Sequence, residues 1–333
     1  MITISPTGTF RELSTVVRDA GLLDPRPSYY AWKITFNLAL AALCWTVFFL
    51  VGDSWWQVGV AVLLGISFVQ SGFLGHDVGH QQVSRGRLQY VLGLVHLNLL
   101  IGASYGWWVT HHNRHHSEPN NLDHDPDTTR RQVIFDPSEL PAKGGTPFRR
   151  FVIRFQPVMF FVLLAQEAWR VHMAGFQAAR ILRRPRLELG LTLVHGVLLL
   201  AAVFGTLSFW LAVVFVLVSQ TVFGFYLGAV FAPNHKGMPV YRSTTQLDWL
   251  HRQVLTARNI RPGPVTDFVF GGLNYQIEHH LFPTMPRANL RLARPIVRDY
   301  CGKRGIPYHE VSAFASYREV ARYLGEVSKA ARS

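Results

Sequence analysis

Four stretches of the chain, 34–51, 55–74, 189–205 and 209–231, are almost wholly apolar. A helix needs about 20 residues to cross some 30 Å of hydrocarbon, so each is long enough, or nearly so, to span a bilayer. Only "GDS" at 52–54 and "TLS" at 206–208 separate the members of each pair, which predicts two helical hairpins. Two further apolar stretches carry polar residues: 88–104 contains His96 and Asn98, and 151–175 contains Arg154, Gln156, Pro157, Glu167 and Arg170. These read as interfacial or re-entrant helices with one apolar face. The alternative has both crossing, for six spans, which would place the arginine pairs at 130–131 and 149–150 outside the cell, against the charge rule. Beyond 287 the pattern turns amphipathic, with Tyr317, Val320, Leu324 and Val327 on one helical stripe. That predicts a helix packed on a soluble cap. No internal repeat or low-complexity linker divides the chain. The expectation is an all-α integral membrane protein, one domain over 1–333: four transmembrane helices in two hairpins, interfacial helices, and a cytoplasmic helical cap from 75–188 and 232–333.

Charge sets the orientation. Hydrophobic residues make up 49% of the chain and charged residues 16%, against about a quarter charged in an average soluble domain. The net charge is +13, and all 33 Lys and Arg lie before, between or after the hairpins. Those regions are therefore expected in the cytoplasm, at the inner membrane of the cell, and the two short turns outside. Trp55, Trp56 and Trp210 would then lie at the outer interface. Topology and anionic lipid account for the positive charge, and no nucleic-acid motif accompanies it. Cys44 and Cys301 are too few for a disulfide framework or a thiolate metal site. The opening "MITISPTGTFRELSTVV" is polar and mixed, unlike a cleaved signal peptide.

The chemistry lies in the histidines. Of 15, eight fall in "HDVGH" at 76–80, "HHNRHH" at 111–116 and "HH" at 279–280. On a helix His76 and His80 share a face, as do His112, His115 and His116, while His111 points elsewhere. Gln276, His279 and His280 repeat the i, i+3, i+4 spacing. Three clusters on one expected side of the membrane point to a metal site, since neutral imidazole is the commonest protein metal ligand. Eight nitrogens exceed one tetrahedral ion and suit two ions. A single pair of this spacing would carry little weight; three together do.

"GHDVGHQQ", "WWVTHHNRHHSEPN" and "NYQIEHHLFPTMPRANL" together resemble the three histidine boxes of the membrane fatty acid desaturases, in order and spacing from about Phe73 to Pro307. Gln276, where a first histidine of the third box would stand, resembles the front-end and related bacterial acyl desaturases. The resemblance implies two non-haem iron ions, O2 as co-substrate, and a fatty acyl substrate carried as acyl-CoA or acyl-lipid. No His-Pro-Gly-Gly haem motif occurs, so a separate electron donor such as ferredoxin with a reductase is expected. It implies iron ligation by His76, His80, His112, His115, His116, His279 and His280, and His235 in "APNHKG" matches a further ligand position. Gln276 would ligate through its amide oxygen, bond to a bound water, or merely pack. Asn234 would hold a metal-bound water or serve as a turn residue.

Asp77 and Glu278 flank ligands, and metal-bound imidazoles usually give their other N–H to a carboxylate or carbonyl. Being sequence neighbours, both acids are expected to serve histidines of other clusters, or to face solvent or Arg114. Asp123, Asp125 and Asp127 follow the second box as outer partners of the ligands or as an acidic turn. Trp107, Trp108 and Tyr226 line an acyl tunnel or simply pack. Arg149 and Arg150 hold a headgroup or contact anionic lipid. His195, inside a span, reads as a neutral imidazole bonded to a neighbouring helix. A lipid hydroxylase is the nearest alternative activity. A metal-binding transporter is the alternative of another class, disfavoured because the clusters lie beyond the span ends rather than deep within the spans.

Overall fold

The hydrophobic runs fold as helices whose ends have local causes. The structure, a computed structural model, describes residues 9–128, 132–140 and 146–331. In chain order the α-helices are α1 (Phe10–Asp19), α2 (Pro27–Val51), α3 (Gln57–Gly79), α4 (Gly86–Gly93), α5 (Tyr105–Ser117), α6 (Pro147–Arg154), α7 (Gln156–Leu164), α8 (Glu167–Gln177), α9 (Pro185–Thr206), α10 (Phe209–His235), α11 (Trp249–Leu255), α12 (Pro264–Val269), α13 (Gln276–Leu281), α14 (Arg287–Lys303) and α15 (Ala313–Ala330). Two short strands, β1 (Asn259–Ile260) and β2 (Glu310–Val311), pair in parallel. Arg130 and Arg131, invoked against six spans, and residues 1–8 of the segment read as lacking a cleaved leader lie outside the described residues.

Four helices, α2, α3, α9 and α10, are long and apolar enough to cross a membrane. They match the four apolar runs but extend beyond them, and the extensions matter. α2 begins at Pro27, where a missing N–H costs nothing. α3 continues through His76, and α10 through His235. Hydropathy marks where the apolar stretch stops, not where the backbone ladder stops. The outermost turns of two spanning helices therefore carry histidines expected to lie beyond them. The stretch 88–104 becomes α4, a six-residue π-helical turn (Leu94–Leu99) and a short link that turns at Gly102, in the left-handed region at φ 69°. The stretch 151–175 breaks into the end of α6, α7 and α8, none long enough to span alone. Phe148, Phe151, Phe155, Val158 and Val162 are exposed along α6 and α7, at the spacing of an interfacial helix face.

The chain packs as two units, one of residues 26–112 and 161–229, the other of 113–160, 230–331 and the amino-terminal segment before Arg26. The division falls inside α5, between His112 and Asn113, and inside α10, between Ala229 and Val230.

In the first unit α2 and α3 form one hairpin and α9 and α10 the other. The turns meet at one end, where the Asp53 carboxylate accepts from the Ser208 amide at 2.9 Å. Fully buried Gln57 donates to the Phe48 and Gly52 carbonyls at the end of α2, groups a helix leaves unsatisfied. Trp55, Trp56 and Trp210 at that end are 68, 82 and 74% exposed, as interfacial indoles would be. Gly65 lets α3 approach α10, since a Cβ there would meet the Ser219 carbonyl at 2.7 Å.

The start of α5 is held from a distance. Glu188 in the first turn of α9 is fully buried and accepts from Ser104 Oγ and from the Gly106 amide, both at 2.8 Å. Asn98 donates to the Glu188 carbonyl and accepts from the Tyr105 amide. A carboxylate at a helix amino terminus satisfies orphan N–H groups and favours the dipole. Glu188 thus fixes where the helix of the second histidine box begins. His195 bonds through Nδ1 to the Leu99 carbonyl, the link to a neighbouring segment expected of an intramembrane imidazole.

In the second unit α1 lays Leu13 and Val17 into a core built with Leu290, Val297 and Cys301 of α14. Val320, Leu324 and Val327 of the predicted tail stripe are buried in α15. Ser328 and Gln156 tie α15 to α6 and the start of α7 through the Ile153 and Leu324 carbonyls. Arg258, fully buried, donates to the Pro233 and Lys236 carbonyls at the end of α10 and pairs with Glu319 of α15. A cation at a helix carboxyl terminus is favourable there. It ties α15 to the turn that presents His235.

Candidate metal centre

The site is built from helix ends. In the first unit His76 lies in the last turn of α3, His80 caps it, and His112 comes from α5. Their ring centroids are 4.6 Å apart for His76 and His80, and 4.9 Å for each with His112. Each offers a nitrogen within 4.8 Å of the others. Trp108 stacks on His112 at 4.5 Å and meets His76 and His80 edge-on. Only glycine fits at 79, because a Cβ would come within 2.2 Å of the Trp108 ring. Asp77 is buried, and its Oδ1 lies 3.4 Å from His76 Nδ1 of its own box.

The second unit gathers five imidazoles. His115, His235 and His280 offer nitrogens within 4.8 Å of one another. His115 Nε2 and His235 Nε2 are 3.3 Å apart. His116 stacks on His280 with centroids 4.1 Å apart and meets His279 edge-on at 4.7 Å. All five are 5% exposed or less. The outer sides of three of them are bonded in a consistent sense. His115 Nδ1 donates to Asp125 at 3.0 Å, His235 Nδ1 to the Thr256 carbonyl at 3.0 Å, and His280 Nδ1 to Gln253 Oε1 at 2.9 Å. An acceptor at Nδ1 fixes the proton there and turns the Nε2 lone pair the other way.

The supports are themselves anchored. Asp125 is fully buried and also accepts from the Asn120 and Asp127 amides. Burial opposes its ionisation, but the facing His115 outweighs burial and holds the carboxyl below the usual range. Burial alone would likewise push His115 down; Asp125 and Asp127 instead hold it above its ordinary value. Asn120, in the left-handed region at φ 59°, donates to the His235 and Pro239 carbonyls, which clamps the loop after the second box onto the end of α10.

Gln276 Nε2 lies 2.9 Å from His235 Nε2, and its Oε1 accepts from Asn234 at 3.0 Å. Glu278 points to the opposite side of α13. It accepts from Asn259 at 2.7 Å and Tyr308 at 2.8 Å rather than from a histidine, and burial pushes its carboxyl up to about 7. Among the other candidates, Trp107 packs on His111 and under Arg170. Tyr226 accepts from Gln70. Arg149 and Arg150 sit in the first turn of α6 beside exposed Phe148 and Phe151. Asp123 is taken by Arg242 and the Ser243 amide.

Sequence reasoning missed Gln253, Thr256, Asn120 and Gly79. Thr256 acts through its backbone, and a glutamine in "LHRQVL" looks like any surface residue, so no local signal marks them. The donor set suits a transition metal: all-imidazole shells with oriented second nitrogens bind such ions, and eight imidazoles exceed what one needs.

The fatty acid desaturase family model matches residues 53–312. An acyl-lipid (9-3)-desaturase of Physcomitrium patens is 32% identical over 97% of this chain, which spans 63% of that protein's length. A delta(8)-fatty-acid desaturase of Euglena gracilis is 32% identical over 97% of the chain, with 79% of its own length covered. A delta(6)-fatty-acid desaturase of Caenorhabditis elegans is 29% identical over 93% of the chain and 72% of its own length. The match takes in all three histidine boxes and His235, and on it the chain belongs to the fatty acid desaturase family.

Proposed function

We propose that this membrane protein is an O2-dependent, di-iron fatty acyl desaturase that introduces a double bond into the acyl chain of an acyl-CoA or acyl-lipid. The observation that carries the reading is the outward bonding of His115, His235 and His280 to Asp125, Thr256 and Gln253, which orients three Nε2 sides as metal ligands are oriented. His76, His80, His112, His115, His116, His235, His279 and His280 are the proposed ligands. Gln276 completes the set through its amide or through a water, steadied by Asn234. The uninterrupted family match across both packing units supports one functional domain.

When bound, the irons supply the redox capacity to activate O2 against an unactivated C–H bond. In balance, the acyl chain would lose two hydrogens, O2 would take two electrons from the chain and two from a separate donor, and with two protons from solvent two waters would form. The protein holds the ligands, fixes their tautomers and keeps the centre dry. Trp108, pressed on three imidazoles, and Tyr226 are the residues proposed to border the acyl chain. The packing of Trp107 on His111 and Arg170 supports a structural part for it instead. Arg149 and Arg150, beside exposed phenylalanines, suit a phosphate-bearing headgroup at the membrane surface. The distribution of Lys and Arg supports an active site on the cytoplasmic face of the inner membrane; a separate ferredoxin-type protein is the proposed electron donor.

Expression in a host without polyunsaturated lipids, followed by mass spectrometry with double-bond localisation, tests the reading. A new double bond at one position is expected. Oxygen gained without a double bond would make the protein a hydroxylase.

A further inference from the structure

α11 and its capping residue Thr256 contribute no proposed ligand, yet they touch three of the proposed ligand residues. Gln253 lies in the last turn of α11, and Thr256 caps its carboxyl end. Gln253 is fully buried. Its Oε1 accepts from His280 Nδ1 at 2.9 Å, and its Nε2 donates to the His116 carbonyl at 2.9 Å. Thr256 offers its carbonyl to His235 Nδ1 at 3.0 Å. The amide orientation of Gln253 is fixed by this pair of bonds, because the His116 carbonyl can only accept. His280 must therefore donate and carry a proton on Nδ1, which leaves Nε2 of the neutral ring free to face a metal.

We infer that Gln253 is a positioning residue of the metal centre: it sets the tautomer and ring angle of His280 while tying the second histidine box to the third. This rests on the proposed metal-binding reading. Removing such an outer partner typically costs 10- to 100-fold in metal affinity.

The test separates the tautomer role from simple bracing. Gln253→Met fills the same space with no acceptor. Gln253→Glu keeps an acceptor for His280 and loses the bond to the His116 carbonyl. Purified wild type and both variants would be challenged with a ferrous chelator and metal release followed in time, with thermal unfolding as a control for folding. Gln253→Met is expected to release metal about 10- to 100-fold faster than wild type, and Gln253→Glu to recover most of that loss. In turnover, kcat should fall in the methionine variant with KM for the acyl substrate unchanged. Equal release by wild type and Gln253→Met would overturn the inference and leave the functional reading standing. Equal loss in both variants would also overturn it, since bracing alone would then explain the effect. A wild-type protein that holds no metal would sink the functional reading and this inference together.

Discussion

His115→Ala is expected to reduce desaturation by ~10²-fold or more and to take bound iron with it, an effect larger than loss of an outer partner. His115 is the hub of its group. Its Nε2 is 3.3 Å from that of His235, its ring centroid is 5.2 Å from that of His280, and its Nδ1 is bonded to Asp125. Alanine removes one ligand and also strips a fully buried carboxylate of its imidazole partner. That second loss costs about 1–3 kcal/mol of stability. A His115→Gln variant, which keeps a polar group near Asp125, separates the two effects: it should fold more stably than the alanine variant and still lack iron. Product analysis and elemental analysis of the purified variants check both. Normal turnover in His115→Ala would remove this residue from the ligand set.

Asp125→Asn should be nearly as damaging, for a different reason. The carboxylate receives three donors: His115 Nδ1 and the amides of Asn120 and Asp127. Asparagine has one accepting oxygen and a donating NH2. The NH2 must turn toward one of those donors, and the ring is the one partner that can answer by moving its proton. His115 would then carry the proton on Nε2, the nitrogen meant for the metal. Comparable tautomer reversals in a catalytic triad lower kcat about 10⁴-fold, and loss of an outer partner lowers metal affinity about 10- to 100-fold. We expect a folded protein with at least tenfold weaker iron retention and turnover down by two orders of magnitude or more. Chelator-driven release and product formation measure the two separately. Wild-type values for both would mean that Asp125 orders its loop and does no more.

Much of this architecture is legible in the sequence because two signals are long-ranged and coarse. Hydropathy finds four spans whatever their packing, and "HDVGH", "HHNRHH" and "HH" aim their imidazoles by helical periodicity alone. The helix ends were not legible. α3 and α10 run on through His76 and His235, because the backbone ladder continues past the last apolar residue. The partners of the site were legible only in part. Asp125 follows a histidine box and could be named, but Glu278 bonds Asn259 and Tyr308 rather than a histidine. Which acid meets which imidazole depends on how short helices turn in space. Gln253 and the Thr256 carbonyl were invisible for the same reason: a lone glutamine and a backbone oxygen acquire their role only once α11 folds against the histidines. Glu188, capping α5 from another helix, is a further case.

The central claim is that these histidines hold a pair of redox-active irons. Mössbauer spectroscopy on protein enriched in iron-57, with iron per chain measured on the same sample, tests it most directly. The expected result is close to two irons per chain in nitrogen-rich, non-haem sites that change oxidation state when O2 is admitted to the reduced protein. A single zinc per chain, or iron indifferent to O2, would contradict it.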